Sequence, residues 1–212
     1  MKTFPIGGIH PSDNKEWSKD KAIEVIDLPN EVIVPMIQHI GAPSTPLVQK
    51  GDKVLTGQLI GQATGFVSAN IHSPISGTVT AVDAFPNGQG QRRIMIAIKR
   101  EGDEWMEGID RSTEHKRECT LSAQEILAKV KDAGIVGLGG AQFPTHVKLS
   151  VPDGQKAEVL IINGVECEPY LTSDYRNMLE RAEELLKETI AKQRIASEPL
   201  RTFAEDEAMV VK

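Results

Sequence analysis

The chain has 212 residues, enough for one large domain or two small ones, each with a modest core. Its 24 basic and 30 acidic residues leave a net charge of −6 without any basic stripe, which speaks against nucleic acid as a partner. The longest apolar runs, such as VLII (159–162), fall far short of the ~20 residues of a bilayer-spanning helix, and the start of the chain has no apolar leader, so the sequence reads as soluble and cytoplasmic.

Residues 1–30, rich in Lys, Asp and Pro, show no period and read as an extended arm packed along a neighbour. Between Glu31 and Lys99 the chain breaks into short β runs separated by Gly and Pro: VIVPMI, TPLVQ, KVLTGQLIG, ANIHS, GTVTAV and RRIMIAI. Such spacing predicts a small β-sandwich or barrel. VQKGDKVLTGQLIG (48–61) followed by SPISGTVTAV (73–82) is similar to the lipoyl/biotinyl carrier domain, where a Gly-Asp turn precedes one half of a barrel-sandwich and a Ser-Gly turn precedes the return strand. A carrier needs a lysine at its hairpin tip. No lysine lies between Lys53 and Lys99, and the expected tip, GFVSAN (65–70), has no amine to acylate. The expectation is the carrier fold without a swinging arm.

Residues 100–120 are charged, contain two glycines and read as a linker. Ser122 then opens a helix: S-x-x-E to Glu125 is a capping box, Ile126, Leu127 and Val130 share one face, and Gly134 ends it. Phe143-Pro144-Thr145 starts a short helix running to about Leu149. AEVLIIN (157–163) reads as a short buried strand, its apolar run being too short for a helix. DYRNMLERAEELLKETIAK (174–192) predicts one amphipathic helix with Met178, Leu179, Leu185, Leu186 and Ile190 available for burial. The tail, 195–212, is ambiguous.

Two loops flank the predicted strand and carry the chemistry. In GIVGLGGAQFPTHVK (134–148), Gly137, Gly139 and Gly140 allow positive φ and close approach of backbone N–H groups to a phosphate, with Lys148 in reach of the same anion. The N–H groups opening the short helix after Pro144 would add to that site. In NGVECEPYLTSD (163–174), Asn163, Glu166 and Glu168 sit at the carboxyl end of the strand, where open α/β sheets hold ligands. A phosphate cradle beside two carboxylates suits a nucleotide.

G-x-G-G-A-x-F-P-T-x-x-K followed by N-x-x-E-x-E-P and then an Asp resembles the flavin site of the NADH-oxidising subunit of respiratory complex I. FPIGGIHPSDNK (4–15), VPMIQHIGAP (34–43) and GFVSANIHSPISGTV (65–79) resemble the C subunit of the Rnf (or Rsx) ion-translocating electron-transport complex, and the likeness runs from Phe4 to about Glu184. The resemblance implies an α+β chain: a β barrel-sandwich hybrid with its arm (1–105), a linker (106–120) and a partial α/β domain for FMN and NADH (121–212). It places Gly137, Gly139 and Gly140 against the FMN phosphate, with Lys148 neutralising it. Asn163 and Glu166 would hold the ribityl chain or ring edge. Phe143 and Glu168 would face the nicotinamide nucleotide. It also implies electron flow between NADH and ferredoxin, other members of the complex as partners, and a peripheral place on the cytoplasmic face of the bacterial inner membrane.

Four departures qualify the resemblance. The family carries two 4Fe-4S clusters, whereas Cys119 and Cys167 are too few thiolates for even one. With half of the flavin domain also missing by this resemblance, the chain reads as an N-terminal fragment, and full activity is not expected from it alone. Leu138 stands where complex I has a basic residue, and Gln142 where the family has a small one. The alternative is a non-catalytic docking module with a vestigial flavin loop.

Plainer readings exist for each residue. Glu166 and Glu168 suit general acid–base work, or simply an exposed loop. His10, His39, His72, His115 and His146 show no metal-ligand spacing, and His39 and His72 read as hydrogen-bonded structural residues of the β unit. Cys119 and Cys167 read as semi-buried thiols, and Trp17 and Trp105 as covers for domain seams.

Overall fold

The computed structural model describes residues 11–112, 119–138, 141–152, 154, 155, 164 and 166–196. The strands, in chain order, are β1 (Glu31–Pro35), β2 (Thr45–Pro46), β3 (Lys53–Val54), β4 (Leu59–Gln62), β5 (Ile71–His72), β6 (Gly77–Pro86) and β7 (Arg92–Arg100). The helices that follow are α1 (Ala123–Asp132), α2 (Thr145–Leu149), α3 (Ser173–Glu180) and α4 (Ala182–Ala196).

Each predicted β run contains a strand. They assemble into two antiparallel sheets, β1-β7-β6-β3 and β2-β4-β5. Both sheets feed one core: Ile60 and Ile71 come from the smaller, and Val34, Val54, Val79, Ile96 and Ile98 from the larger. Burial of each such side chain stabilises by about 1.5–3 kcal/mol, which is why the alternating apolar positions fix the register. The run KVLTGQLIG, read as one segment, divides into β3 and β4. Gly57 turns through φ +84, and Leu55 and Gln58 close the turn with two hydrogen bonds, Leu55 N–H to Gln58 Oε1 and Gln58 N–H to Leu55 O.

The expected linker is not free along its first half. Glu104 O accepts from Thr56 N–H, Met106 N–H donates to Thr56 O, and Arg111 lies 4.5 Å above the Trp105 ring. The described residues 101–112 therefore lie along the barrel.

α1 begins as expected. Ser122 Oγ accepts from Glu125 N–H, and the Glu125 carboxylate accepts in return from the Ser122 hydroxyl and Ser122 N–H, which in that order hold the carboxyl below its ordinary pKa. Ile126 is buried, and Gly134 turns the chain out of the helix at φ +66. The single amphipathic helix predicted for 174–192 is two helices, broken at Arg181 (φ −130, ψ 32). Packing explains the break. α4 lies against α1 and α2, while the end of α3 is held by the N-terminal arm through Ile23 N–H to the Glu180 carboxylate. Of the apolar residues predicted for burial, Met178 and Leu185 are half-buried while Leu179 and Leu186 face solvent.

The neighbour of the arm is the chain's own second half. Residues 13–23 run along 168–180, over 150 residues away in sequence, and Trp17 packs on Tyr170 with ring centroids 5.4 Å apart. Among the described residues no helix is long and apolar enough to cross a membrane.

Candidate functional site

The glycine loop is a closed excursion between α1 and α2. Val136 pairs with Pro144, Gly137 N–H donates to Phe143 O at 3.0 Å, and Thr145 N–H donates to Ile135 O at 2.9 Å. These bonds bring Gly137, Phe143 and Lys148 together. A Cβ placed on Gly137 would stand 2.6 Å from Lys148 Nζ, the mobile end of a long side chain, so glycine here leaves the ammonium room against the backbone. Lys148 is exposed and has no ion pair among the described residues. Gly139 and Gly140, the remaining predicted cradle residues, lie outside the described residues.

Both departures from the flavin pattern have visible consequences. Leu138 projects into solvent at 92 % exposure. Gln142 takes φ 50, a left-handed conformation that a residue without a branched or bulky side chain holds at less cost.

In the second loop Asn163 and the predicted strand 157–163 lie outside the described residues. Glu166 does something the sequence did not announce: its Oε1 accepts from Asp174 N–H (2.8 Å) and Tyr175 N–H (3.1 Å), so it caps the start of α3. Partial burial, and then the neighbouring Glu166 charge, push the Asp174 carboxyl above its ordinary pKa. The Glu168 side chain is exposed, while its backbone O accepts from Lys15 Nζ. No hydrogen bond or ion pair among the described residues joins Glu166 or Glu168 to Gly137, Phe143 or Lys148. Cys167 between them is exposed, not half-buried as expected, and Cys119 is half-buried.

The barrel tip supplies a floor that the motifs do not mark. GFVSAN (65–70), which has no lysine to modify, docks the glycine loop instead. Phe66 O is 3.1 Å from His146 Nε2 and accepts its proton, the Phe66 and His146 rings meet edge-on at 6.2 Å, and Asn70 Nδ2 donates to Asp132 O at 3.2 Å. Ile40 N–H adds a bond to Ala141 O within the loop itself. The absent lysine was the available signal that this tip serves another purpose. His39 follows its structural reading at Nδ1, which bonds Ile40 O, while its buried Nε2 has no partner among the described residues.

Burial pushes the His146 pKa below the ordinary histidine value of 6.5, with Lys131 and His39 adding repulsion in the same direction against the Phe66 bond. Folding thus favours neutral His146. The stability it contributes is complete above about pH 6.5 and is lost as pH falls from there through the folded-state pKa. Thermal midpoints at about pH 7.5 and 5.5 should therefore differ less in His146→Gln than in the wild type. An unchanged difference would remove His146 from the account.

A profile described as the RnfC barrel sandwich hybrid domain matches residues 2–103, and one described as the Nuo51 FMN-binding domain matches 130–199. The C subunit of the proton-translocating ferredoxin:NAD(+) oxidoreductase complex of Clostridium ljungdahlii is 48% identical over 187 residues, 88% of this chain and 40% of that protein. The chain belongs to the RnfC family. Two further relatives are also C subunits. That of the Na(+)-translocating ferredoxin:NAD(+) oxidoreductase complex of Acetobacterium woodii is 44% identical over 85% of this chain and 40% of that protein. That of the ion-translocating oxidoreductase complex of Rhodobacter capsulatus is 46% identical over 87% of this chain and 36% of that protein. The chain thus spans about two fifths of the length of these curated relatives. The α+β architecture read from the sequence, a barrel-sandwich hybrid followed by a flavin-domain segment, agrees with both profiles, and the glycine loop and Glu166–Glu168 fall within the FMN-binding match.

Proposed function

We propose that this chain forms the electron-entry part of the C subunit of an Rnf-type ferredoxin:NAD+ oxidoreductase, a peripheral member of an ion-translocating complex on the cytoplasmic face of the membrane. Residues 1–105 would carry the barrel and residues 121–212 the flavin unit, joined by 106–120. Gly137, Gly139 and Gly140 would take the FMN phosphate and Lys148 would neutralise it. Asn163 and Glu166 would bond the ribityl chain or ring edge, and Phe143 and Glu168 would face NADH. Bound FMN would supply the change from a hydride pair to single electrons. The protein's share is alignment and electrostatics. Cys119 and Cys167 are too few for a 4Fe-4S cluster, so the onward carriers would come from outside these 212 residues. The ion named for the relatives differs, protons in one and Na+ in another, which fits an electron-entry segment shared by both.

One observation carries the reading: an ammonium without an ion pair among the described residues rests against a glycine that leaves it room, in a segment matching an FMN-binding domain. The fit is chemical and rests on the cation, for which a phosphate is a matching partner, because the Gly137 N–H is already donated to Phe143 O. Titrating FMN with the chain should give saturable quenching of flavin fluorescence, about 10–100-fold weaker for Lys148→Ala, the worth of one charge-assisted contact. Absence of quenching would sink FMN binding by this chain and favour the docking-module alternative.

A further inference from the structure

The N-terminal arm holds the loop that carries Glu166 and Glu168 by its backbone. Lys15 Nζ donates to Leu171 O at 2.6 Å and to Glu168 O at 3.2 Å, bridging the two ends of the turn. Tyr170, between them, is gripped on both sides: its N–H donates to Asp13 O at 2.7 Å, and its O accepts from Ser18 Oγ at 3.2 Å. Ser18 Oγ also accepts from the buried Thr172 hydroxyl at 2.9 Å. Tyr170 itself sits at φ 68, a conformation that a bulky L-residue adopts only when its surroundings impose it. Here the surroundings are the arm, and Trp17 covers the Tyr170 ring.

From this we infer that the arm is a positioning device for the Glu166–Glu168 loop, with Lys15 as its principal positioning residue. A strained turn held only by its own short segment would relax toward ordinary φ, moving Glu168 and unseating the Glu166 cap from α3. The arm prevents this by binding carbonyls, whose positions define the turn whatever side chains it carries. A lysine is suited to the task, since one ammonium has three donors and here reaches two carbonyls. The arm touches neither Gly137 nor Lys148 through any described hydrogen bond, so its influence falls on the acidic half of the site. The inference rests on the reading of that loop as part of an FMN and nicotinamide site.

Hydrogen–deuterium exchange and FMN titration, run together on the full chain, separate the two ideas. In Lys15→Ala, exchange of the 166–175 amides should quicken about tenfold, with the β7 amides unchanged, and FMN should bind about tenfold more weakly, the scale of losing such hydrogen bonds at an exposed site. Lys15→Arg, which keeps charge and donors, should restore both most of the way. Ser18→Ala, which removes the second grip, is the companion variant should Lys15→Ala fold poorly, and should act in the same direction. Faster exchange with unchanged FMN affinity would overturn the positioning role and leave flavin binding standing. Unchanged exchange in both variants would overturn it outright. A wild-type chain that never binds FMN would instead remove the flavin reading, and the exchange data would still decide whether the arm orders the loop.

Discussion

Replacing Ile96 by alanine is expected to lower stability by about 3–4 kcal/mol and the thermal midpoint by roughly 10 °C. Ile96 is fully buried at the middle of β7, a strand with a partner on each side, and lies opposite Val34 of β1 and Val82 of β6. Truncation removes three carbons from a site whose walls are hydrogen-bonded strands on both sides. The walls cannot collapse into the space, so most of the cavity cost is added to the lost transfer free energy. Two positions earlier on the same strand Ile94 is 47 % exposed, and Ile94→Ala should cost only a few tenths of a kcal/mol. Thermal unfolding of the two variants side by side checks this. Equal losses would mean that the core is not where the buried apolar positions of the two sheets place it.

The contrast between Ile94 and Ile96 bears on what was legible in the amino-acid order alone. The β runs and their turn residues predict the barrel-sandwich, but period alone does not place its core: in β7 Met95, Ile96, Ala97 and Ile98 are buried in succession, while Ile94, on the same face as Ile96 by a two-residue period, is exposed. α1 is equally plain, because a capping box and a terminal glycine are signals contained in a dozen residues. What the sequence conceals is decided by distant partners. DYRNMLERAEELLKETIAK contains neither Gly nor Pro, yet the helix breaks at Arg181 because α3 answers to the arm and α4 to α1 and α2. Likewise, nothing in the spacing of Lys15 or Ser18 marks them as partners of a loop over 150 residues away.

The candidate site divides the same way. Gly137 and Lys148 are readable because a turn and the helix after it bring them together within a dozen residues. Glu166 stands out in the sequence as a chemistry-bearing carboxylate, but its bond to the start of α3 depends on how the chain returns after Pro169, which no short motif states. The tip GFVSAN is marked only by what it lacks. Its contacts with His146 and Asp132 join segments some sixty to eighty residues apart, and only the fold makes them neighbours.

That seam gives the second large effect. Gly134→Ala is expected to cost about 2–4 kcal/mol, from two sources that a control can separate. Gly134 holds φ +66 where it ends α1, which penalises any Cβ by about 1 kcal/mol. The new methyl would also drive into Asn70 O, with the Asn70 carbonyl carbon only 2.9 Å away. Backbone cannot swing aside as a side chain does, so either the end of α1 unwinds or the barrel tip parts from it. Gly90→Ala isolates the first cost, since Gly90 has φ +76 and nothing within 4 Å of its would-be Cβ. Gly134→Ala should therefore lose at least twice as much stability as Gly90→Ala, and equal losses would mean that the seam is loose. The parting has a further consequence. Ile135, the next residue, anchors Thr145 at the base of the glycine loop, so a displaced Gly134 shifts Gly137 relative to Lys148. FMN affinity should fall in Gly134→Ala even at temperatures where the variant remains folded, whereas Ile96→Ala, which damages the barrel without touching the seam, should retain affinity until it melts. That difference would identify the barrel tip as part of the support for the flavin loop.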